Sequence, residues 1–365
     1  MHNPNTLRTA LAFTTVIALG ACSAERPQSP AETPPIVAVG PTAKGSDQSF
    51  GIRDAAKSAG KILVAAGQPN AHDIFMIDLA TNAALNLTYT PPGTQPTDEL
   101  NPQVSPTPNG IEVTFTSNTS GKYQIYRLPL ANLGGLVQLT SSDANNDDPT
   151  WSLDGKRIYY KTSANGHGDI LSVPWNGTGK PQNLTKKATA TEEWKPVAVT
   201  DNLLVVTTSH GDDGTMNKRQ LFATAELAIV DTTKPNDLPK ELTNNDYPDW
   251  YASPKPEEPT VIAYTSRDET NPTGHDIIKQ MDITRFDKPQ TLVNIPGDSD
   301  DSSWAPPLPK SDGDTLLFVN NSTGTYRAMA RTPSGAIVDL NLPVSGEVLS
   351  PVAVGPITIG NERKG

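Results

Sequence analysis

Short runs of apolar, β-branched and aromatic residues recur along the chain, and segments rich in Gly, Pro, Asn and Asp separate them. This alternation is typical of β-strands bounded by turns. After the N-terminal segment no stretch keeps a helical period, so the pattern predicts an all-β chain. Two strands recur in each unit. The first covers 111–115, 157–161, 203–207, 261–265 and 315–319, and the second covers 74–77, 125–128, 170–173, 227–230, 277–281 and 326–330.

These strands belong to a sequence repeat. Its clearest copy reads Asp148-Pro149-Thr150-Trp151-Ser152-Leu153-Asp154-Gly155, and Asp169-Ile170 and Leu184-Thr185 follow. A unit of this kind buries its apolar face only by stacking on its neighbours. The intervals of about 45–58 residues between unit ends are near the roughly 40–50 residues of a propeller blade. Four units end at Leu87-Thr88, Leu139-Thr140, Leu184-Thr185 and Leu242-Thr243, and two weaker ones end at Leu292-Val293 and Leu340-Asn341.

The two ends of the repeat region are complementary. The first unit begins near Lys61 without an opening strand of the Pro149-Thr150-Trp151 type, whereas a spare one stands at the end, from Ser350 to Val354. We therefore expect a six-bladed β-propeller over 61–354 in which the C-terminal strand completes the first blade and leaves no exposed sheet edge. The alternative is an open array whose last unit is frayed.

The unit resembles the WD-repeat-like unit of TolB-type β-propellers in the order Asp-x-Pro-x-Trp-Ser-x-Asp-Gly-Lys-x-Ile, then Asp-Ile, then Leu-Thr. The resemblance covers about Lys61 to Val354, is strongest from Asp148 to Thr185, and is weak near Asn101 and Trp194. It implies a propeller fold, a place in the cell envelope and a bias toward protein interaction. TolB itself is a soluble periplasmic protein with an α/β domain ahead of its propeller. Too few residues precede the first blade for such a domain, so a role in the Tol machinery is not implied.

The N-terminus predicts a lipoprotein. Arg8 precedes an apolar stretch, and Leu19-Gly20-Ala21-Cys22 follows it. This is a signal peptide over 1–21 that is too short to span a membrane, and Cys22 is the expected site of acylation by a palmitate-type chain. The alternative is an ordinary signal peptide with an incidental cysteine. Because Cys22 is the sole cysteine, no disulfide is expected.

Export and lipidation would place the protein on the periplasmic side of the cell envelope. Ser23 follows the acylated position, which in a Gram-negative cell favours the outer membrane. Residues 22–60 include the lipidated cysteine and read as a Pro-rich tether. Residues 355–365 form a short C-terminal tail.

The net charge of the chain limits the classes of partner that it is expected to bind. A formal net charge of −11 makes nucleic acid and anionic lipid surfaces poor partners and favours a cation or a basic segment. We expect a monomer that binds an envelope protein or peptide.

The segments that lead into the opening strands are acidic, and in a propeller they meet on one face around the channel. Three interpretations remain open: bracing of the blade junctions by backbone hydrogen bonds, attraction of a basic partner, and a divalent cation such as calcium. No other cofactor is expected. The residues of this face are Asp98, Glu99, Asp147, Asp148, Glu192, Glu193, Asp246, Asp298, Asp300, Asp301 and Glu347.

Catalytic chemistry has little support in the sequence. There is no Gly-x-Ser-x-Gly elbow and no His-Glu-x-x-His pair. His72, His167 and His275 share one phase of the repeat and should lie too far apart to share a metal. The tryptophans of the opening strands should pack between blades. We therefore expect a protein- or peptide-binding scaffold more than an enzyme. The alternative is a propeller hydrolase, lyase or carbohydrate-binding protein that acts at the channel mouth.

Overall fold

The computed structural model describes residues 50–54, 58–91, 93–106, 111–186, 191–210, 223–267, 274–285, 288–307 and 313–360. The predicted signal peptide and the lipidation of Cys22 lie outside these residues. Within the described ranges, no helix is both long and apolar enough to cross a membrane. The secondary structure there consists of β-strands, which confirms the all-β prediction.

The strands form six sheets, and each sheet is one blade of a propeller. Blade 1 contains β2 (Lys61–Gln68), β3 (Ala71–Asp78) and β4 (Ala83–Asn86), with β25 (Glu347–Ala353) on the inner side. Blade 2 contains β5 (Glu99–Val104), β6 (Glu112–Ser117), β7 (Gln124–Pro129) and β8 (Val137–Gln138). Blade 3 contains β9 (Asn146–Trp151), β10 (Arg157–Thr162), β11 (Asp169–Pro174) and β12 (Gln182–Asn183).

The second half of the ring repeats this plan. Blade 4 contains β13 (Thr191–Ala198), β14 (Leu203–His210), β15 (Ala225–Asp231) and β16 (Lys240–Glu241). Blade 5 contains β17 (Asp249–Lys255), β18 (Glu258–Arg267), β19 (Asp276–Asp282) and β20 (Gln290–Val293). Blade 6 contains β21 (Ser299–Trp304), β22 (Leu316–Asn320), β23 (Arg327–Arg331) and β24 (Ile337–Asp339), and β1 (Gly51–Ile52) joins its outer edge.

The ring closes as the sequence predicts. The C-terminal strand β25 pairs antiparallel with β2, and the inner strands contact one another in the cyclic order β25, β5, β9, β13, β17, β21 and back to β25. Blades 1 and 6 share one apolar cluster, in which Ile62, Leu317 and Val348 are buried. The last strand of the chain therefore holds the first blade together.

Residues on both sides of the predicted propeller boundaries contact the ring. Strand β1 pairs parallel with β24. Arg53 lies next to it, and its guanidinium donates to the carbonyl oxygens of Leu340, at 2.9 Å, and Leu79. Beyond β25, Ile357 and Ile359 are buried. Part of the segment read as tether and part of the tail thus pack on blades 6 and 1.

The opening-strand tryptophans pack between blades. Trp151 is buried with Ile125 of the preceding blade and Ile158 of its own. Trp304 is likewise buried against Ala263 of blade 5. Trp175 differs because it is 38% exposed, and the guanidinium of Arg127 lies 4.7 Å from its ring centroid. The repeated tryptophans are consequently part of the core between blades.

Candidate functional site at the central channel

One residue of each inner strand has an unusual backbone conformation. In every blade the pairing between the inner strand and its neighbour shifts register at a β-bulge. The residue at each bulge has a positive φ between 47° and 55°, although none is glycine. Such strain in non-glycine residues is concentrated at functional sites. These six residues form the channel ring: Asn101 (φ 53°), Asp148 (φ 53°), Lys195 (φ 47°), Tyr251 (φ 55°), Asp301 (φ 51°) and Ser350 (φ 48°).

The side chains of the channel ring are joined across the channel. Lys195 Nζ donates to Asn101 Oδ1 at 2.9 Å and to Asp301 Oδ1 at 3.1 Å. Asn101 Nδ2 donates to Asp148 Oδ1 at 2.8 Å. Ser350 Oγ donates to Asp301 Oδ2 at 2.5 Å. Lys195 Nζ also lies 4.8 Å from the ring centroid of Tyr251. All six blades therefore meet at one polar network centred on a lysine.

Electrostatics favour the charged forms of this central pair. Burial opposes the ammonium of Lys195, but the nearby Asp301 and Asp148 outweigh it and raise the pKa of Lys195. Burial also opposes the carboxylate of Asp301, but Lys195 and the hydrogen bond from Ser350 outweigh it and lower the pKa of Asp301. Neighbouring Asp300 behaves oppositely, because burial and the charge of Asp301 raise its pKa to about 6.

The channel ring separates two cavities along the axis. The upper chamber, of about 390 Å³, includes the residues that precede the ring positions, and the lower chamber, of about 200 Å³, includes the residues that follow them. The lower chamber is lined by tryptophans and prolines, among them Trp151, Trp304 and Pro254. The upper chamber has more charged side chains on its wall. Besides the ring it is lined by Leu100, Thr116, Tyr123, Asp147, Lys161, Glu192, Trp194, Asp300, Val319, Tyr326 and Leu349.

The structure brings only part of the predicted acidic face into the upper chamber. Asp147, Asp148, Glu192, Asp300 and Asp301 line it. The other members of the face lie elsewhere. Two positively charged lysines, Lys161 and Lys195, lie among the five carboxylates. Lys161 Nζ is 2.6 Å from Glu192 Oε1.

Two predicted face residues point into their blades. Glu99 is 2% exposed and accepts from Ser117 Oγ at 2.7 Å, and Glu193 is fully buried and accepts from Thr208 Oγ1 at 3.2 Å. Burial raises the pKa of Glu99 to about 7 and that of Glu193 to about 8. These carboxyls stabilise the interior of a blade.

Of the four remaining carboxylates, three brace the loops together with one histidine. His72 Nδ1 lies 2.6 Å from Asp98 Oδ1, and His72 Nε2 lies 3.0 Å from Glu347 Oε1, so one imidazole joins blades 1 and 2. Asp298 accepts from the backbone N–H of Asp276 at 3.1 Å and from Asn321 Nδ2 at 2.9 Å. Asp246 is exposed on the surface.

A tyrosine connects the contact between His72 and Asp98 to the upper chamber. Tyr123 donates its hydroxyl hydrogen to Asp98 Oδ2 at 2.7 Å, and Tyr123 lines the upper chamber. Burial opposes protonation of His72, but the hydrogen bonds and charges of Asp98 and Glu347 outweigh it and raise the pKa of His72. A hydrogen-bonded chain thus runs from Glu347 to the chamber wall.

Sequence reasoning missed the basic and aromatic members of the site. Lys195 precedes Pro196 as Asp148 precedes Pro149, and this equivalent position in the repeat was the available signal. Lys161, Tyr123 and Tyr326 carry no comparable signal. The three histidines of one repeat phase differ in surroundings, since His275 bonds Asn294 Oδ1 at 3.0 Å and His167 lies 3.8 Å from Asp169 Oδ1. Among the described residues, no group of three or more His, Cys, Asp or Glu is arranged to hold a metal ion.

The fold and the site define a six-bladed β-propeller with a closed, polar channel. The chain is similar to TolB from Acinetobacter baumannii, with a TM-score of 0.58 and 16% identity over 81% of this chain and 67% of that one. It is also similar to the hydrazine synthase of Kuenenia stuttgartiensis, with a TM-score of 0.60 and 11% identity over 84% of this chain and 47% of that one. A puromycin-hydrolyzing peptidase of Mycobacterium tuberculosis has a TM-score of 0.50 and 13% identity over 82% of this chain and 45% of that one.

These likenesses show the fold, which is the TolB-like propeller that the repeat predicts. The similar structures belong to proteins with different activities. The shared fold therefore does not indicate a function, which has to be argued from the residues of the site. The sequence matches no protein-family model and no curated protein.

Proposed function

We propose that the protein is a binding protein of the cell envelope, whose upper chamber and its mouth receive a segment of a partner protein or peptide. The observation that supports this proposal is the chamber of about 390 Å³ at one side of the closed channel ring, with carboxylates and aromatic side chains on its wall. A cavity of this size holds one or two side chains, and the carboxylates select basic ones.

Lipidation of Cys22 is part of the proposal. An acyl chain there, followed by the Pro-rich tether, would hold a monomeric propeller near the periplasmic face of a membrane, the outer one in a Gram-negative cell. The partner would then be another envelope protein or peptide. The rigid ring suits such a role, because a preformed surface loses little conformational entropy when it binds.

Asp300 favours a second candidate, a hydrolase or lyase at the same chamber. Its pKa of about 6 is near the range in which a carboxyl can act as a general acid or base. The other three carboxyls with strongly raised pKa values, Glu99, Glu193 and Asp276, are buried and do not line the chamber. Binding therefore accounts for more of the site than catalysis does.

A capture experiment from envelope extract tests the proposal. The wild-type propeller is compared with Asp147→Asn/Asp300→Asn, which removes two chamber charges, and with Glu257→Gln, a control that removes one exposed charge in the turn between β17 and β18. We expect the wild type and the control to retain the same partner, identified by mass spectrometry, and the chamber variant to lose it. Retention by the chamber variant, when its melting temperature is unchanged, would show that the chamber is not the binding site.

A further inference from the structure

Two Asp-Asp pairs face each other across the channel. Asp147-Asp148 belongs to blade 3 and Asp300-Asp301 to blade 6, and three steps around a six-bladed ring lead to the opposite side. The second residue of each pair is a member of the channel ring, and the first lines the upper chamber. The channel therefore has two successive levels, each with carboxylates on opposite sides.

The lower of these levels already holds an ammonium group, that of Lys195. Its Nζ contacts a carboxylate oxygen of Asp301, an amide oxygen of Asn101 and the face of Tyr251. These are three different kinds of ammonium acceptor, gathered from three blades. The protein itself thus shows how this channel binds a primary ammonium.

The upper level offers a similar set of acceptors. Asp147 and Asp300 take the place of the carboxylates, and Trp194 and Tyr326 supply aromatic surface. The ammonium of Lys161 in the same chamber bonds Glu192 at 2.6 Å. Asp300 Oδ1 accepts from Thr265 Oγ1 at 2.7 Å, so a ligand would use the second oxygen of Asp300. Thr116 also lines the chamber. It is 1% exposed, and its hydroxyl has no hydrogen-bond partner among the described residues. A buried hydroxyl without a partner is costly, and a ligand that donates a hydrogen bond to it would remove that cost.

The chamber wall also has an apolar part. Leu100, Leu349 and Val319 line it together with the polar groups. An ammonium on an aliphatic chain matches both parts, because the methylene groups cover apolar surface while the charged end reaches the carboxylates.

Resting on the proposed function, we propose that the upper chamber binds a primary ammonium group on an extended aliphatic chain, between Asp147 and Asp300 and within reach of Thr116. An ammonium has three donors that point in different directions, and it can serve acceptors on opposite walls. A planar guanidinium suits a single carboxylate in bidentate contact and fits this arrangement less well. The source of the ammonium is either a lysine side chain of a partner or a free alkylamine.

Isothermal titration of the intact propeller tests the proposal with five probes. They are the capped peptide Gly-Lys-Gly, the same peptide with an acetylated lysine, capped Gly-Arg-Gly, n-butylamine and calcium chloride. We expect the lysine peptide to bind at least tenfold more tightly than its acetylated form, because a lost charge-assisted hydrogen bond is worth about 1.5–3 kcal/mol. Tighter binding of the peptide than of butylamine identifies a partner lysine, and the reverse order identifies a free amine.

Variants locate the binding site. Asp147→Asn/Asp300→Asn should weaken binding of the lysine peptide by at least tenfold. Thr116→Val keeps the shape of the side chain and should weaken it by at least about tenfold, as expected for one hydrogen bond to a charged donor. Glu257→Gln, in the exposed turn between β17 and β18, should leave it unchanged. If a chamber variant fails to fold, the proposal is still tested by comparing the affinities of the wild type for the lysine peptide and the acetyl-lysine peptide.

Three results would overturn the proposal: equal affinity for the lysine and acetyl-lysine peptides, no binding of either amine probe at millimolar concentration, or binding of calcium and of no amine. Each is distinguishable from failure of the proposed function. If capture of an envelope partner still depends on Asp147 and Asp300, the binding role stands and only the ammonium assignment falls.

Discussion

Replacing Lys195 by methionine should destabilise the propeller by removing the centre of the channel ring. The side chain of Lys195 is 15% exposed and that of its partner Asp301 is 18% exposed, so solvent screens this ion pair little. Methionine has a similar length and no charge. The substitution therefore leaves Asp301 and Asp148 close together without a cation between them.

The size of the effect follows from the burial of the pair. Removing one partner of a buried pair costs roughly 3–5 kcal/mol, and we take about 3 kcal/mol because both side chains keep some solvent contact. In a domain of this size, about 2 °C per kcal/mol gives a fall in melting temperature of about 6 °C. The stabilisation by Asp301 is lost as the pH falls through its lowered pKa, and that by Lys195 is lost as the pH rises through its raised pKa. The effect should thus be full at pH 7.

Thermal unfolding followed by circular dichroism measures this loss, and a double variant separates charge from packing. Lys195→Met/Asp301→Asn removes both charges and should recover at least half of the lost stability, since a buried pair can be replaced by neutral groups at little cost. A melting temperature of Lys195→Met within about 1 °C of the wild type would refute the reasoning. So would a double variant that is less stable than the single one.

Three further predictions concern other buried or terminal groups. Glu193→Gln should gain stability relative to the wild type as the pH rises from about 5 to 8. With a pKa of about 8 the buried carboxyl stays protonated in the folded wild type, whereas the unfolded chain ionises it in this range. A difference in melting temperature that is independent of pH would contradict this. His72→Gln should cost more stability at pH 5.5 than at pH 8.5. The stabilisation by protonated His72 is present below its unfolded pKa and is lost as the pH rises through its raised folded pKa. Urea denaturation at both pH values measures this difference, and equal losses of stability would contradict the charged contact. Cys22→Ser should abolish membrane association in a fractionated cell, and unchanged association would argue against the lipid anchor.

The strands and their order could be predicted from the sequence because they depend on local pattern. The recurring Leu-Thr ends and β-branched runs predicted six blades, and the missing first strand predicted closure by the C-terminal one. Both are confirmed. The spare strand could be recognised because each blade needs four strands to cover its apolar face and edges.

Which residues line the chamber could not be predicted as reliably from the sequence, and two adjacent residues show the reason. Glu99 and Leu100 are adjacent, yet Glu99 is buried in its blade and Leu100 lines the chamber. Successive side chains of a strand point to opposite sides, so a shift of one position separates a structural carboxyl from a chamber one. The bulge at the ring position then alters this alternation, and its six occupants are five different residue types, although four of them precede a proline.

The sequence by itself determined the number and the order of the blades, because each four-stranded unit repeats at an interval of about 50 residues. It also determined the closure of the ring, because the first unit lacks its inner strand and a spare copy of that strand stands at the other end of the repeat. Only the tertiary structure decided which charges meet. Asp148 and Asp301 lie on opposite blades, and the closed ring brings both to Lys195. Such contacts depend on the register of six inner strands and on the angle between blades, and neither quantity is encoded in any one repeat.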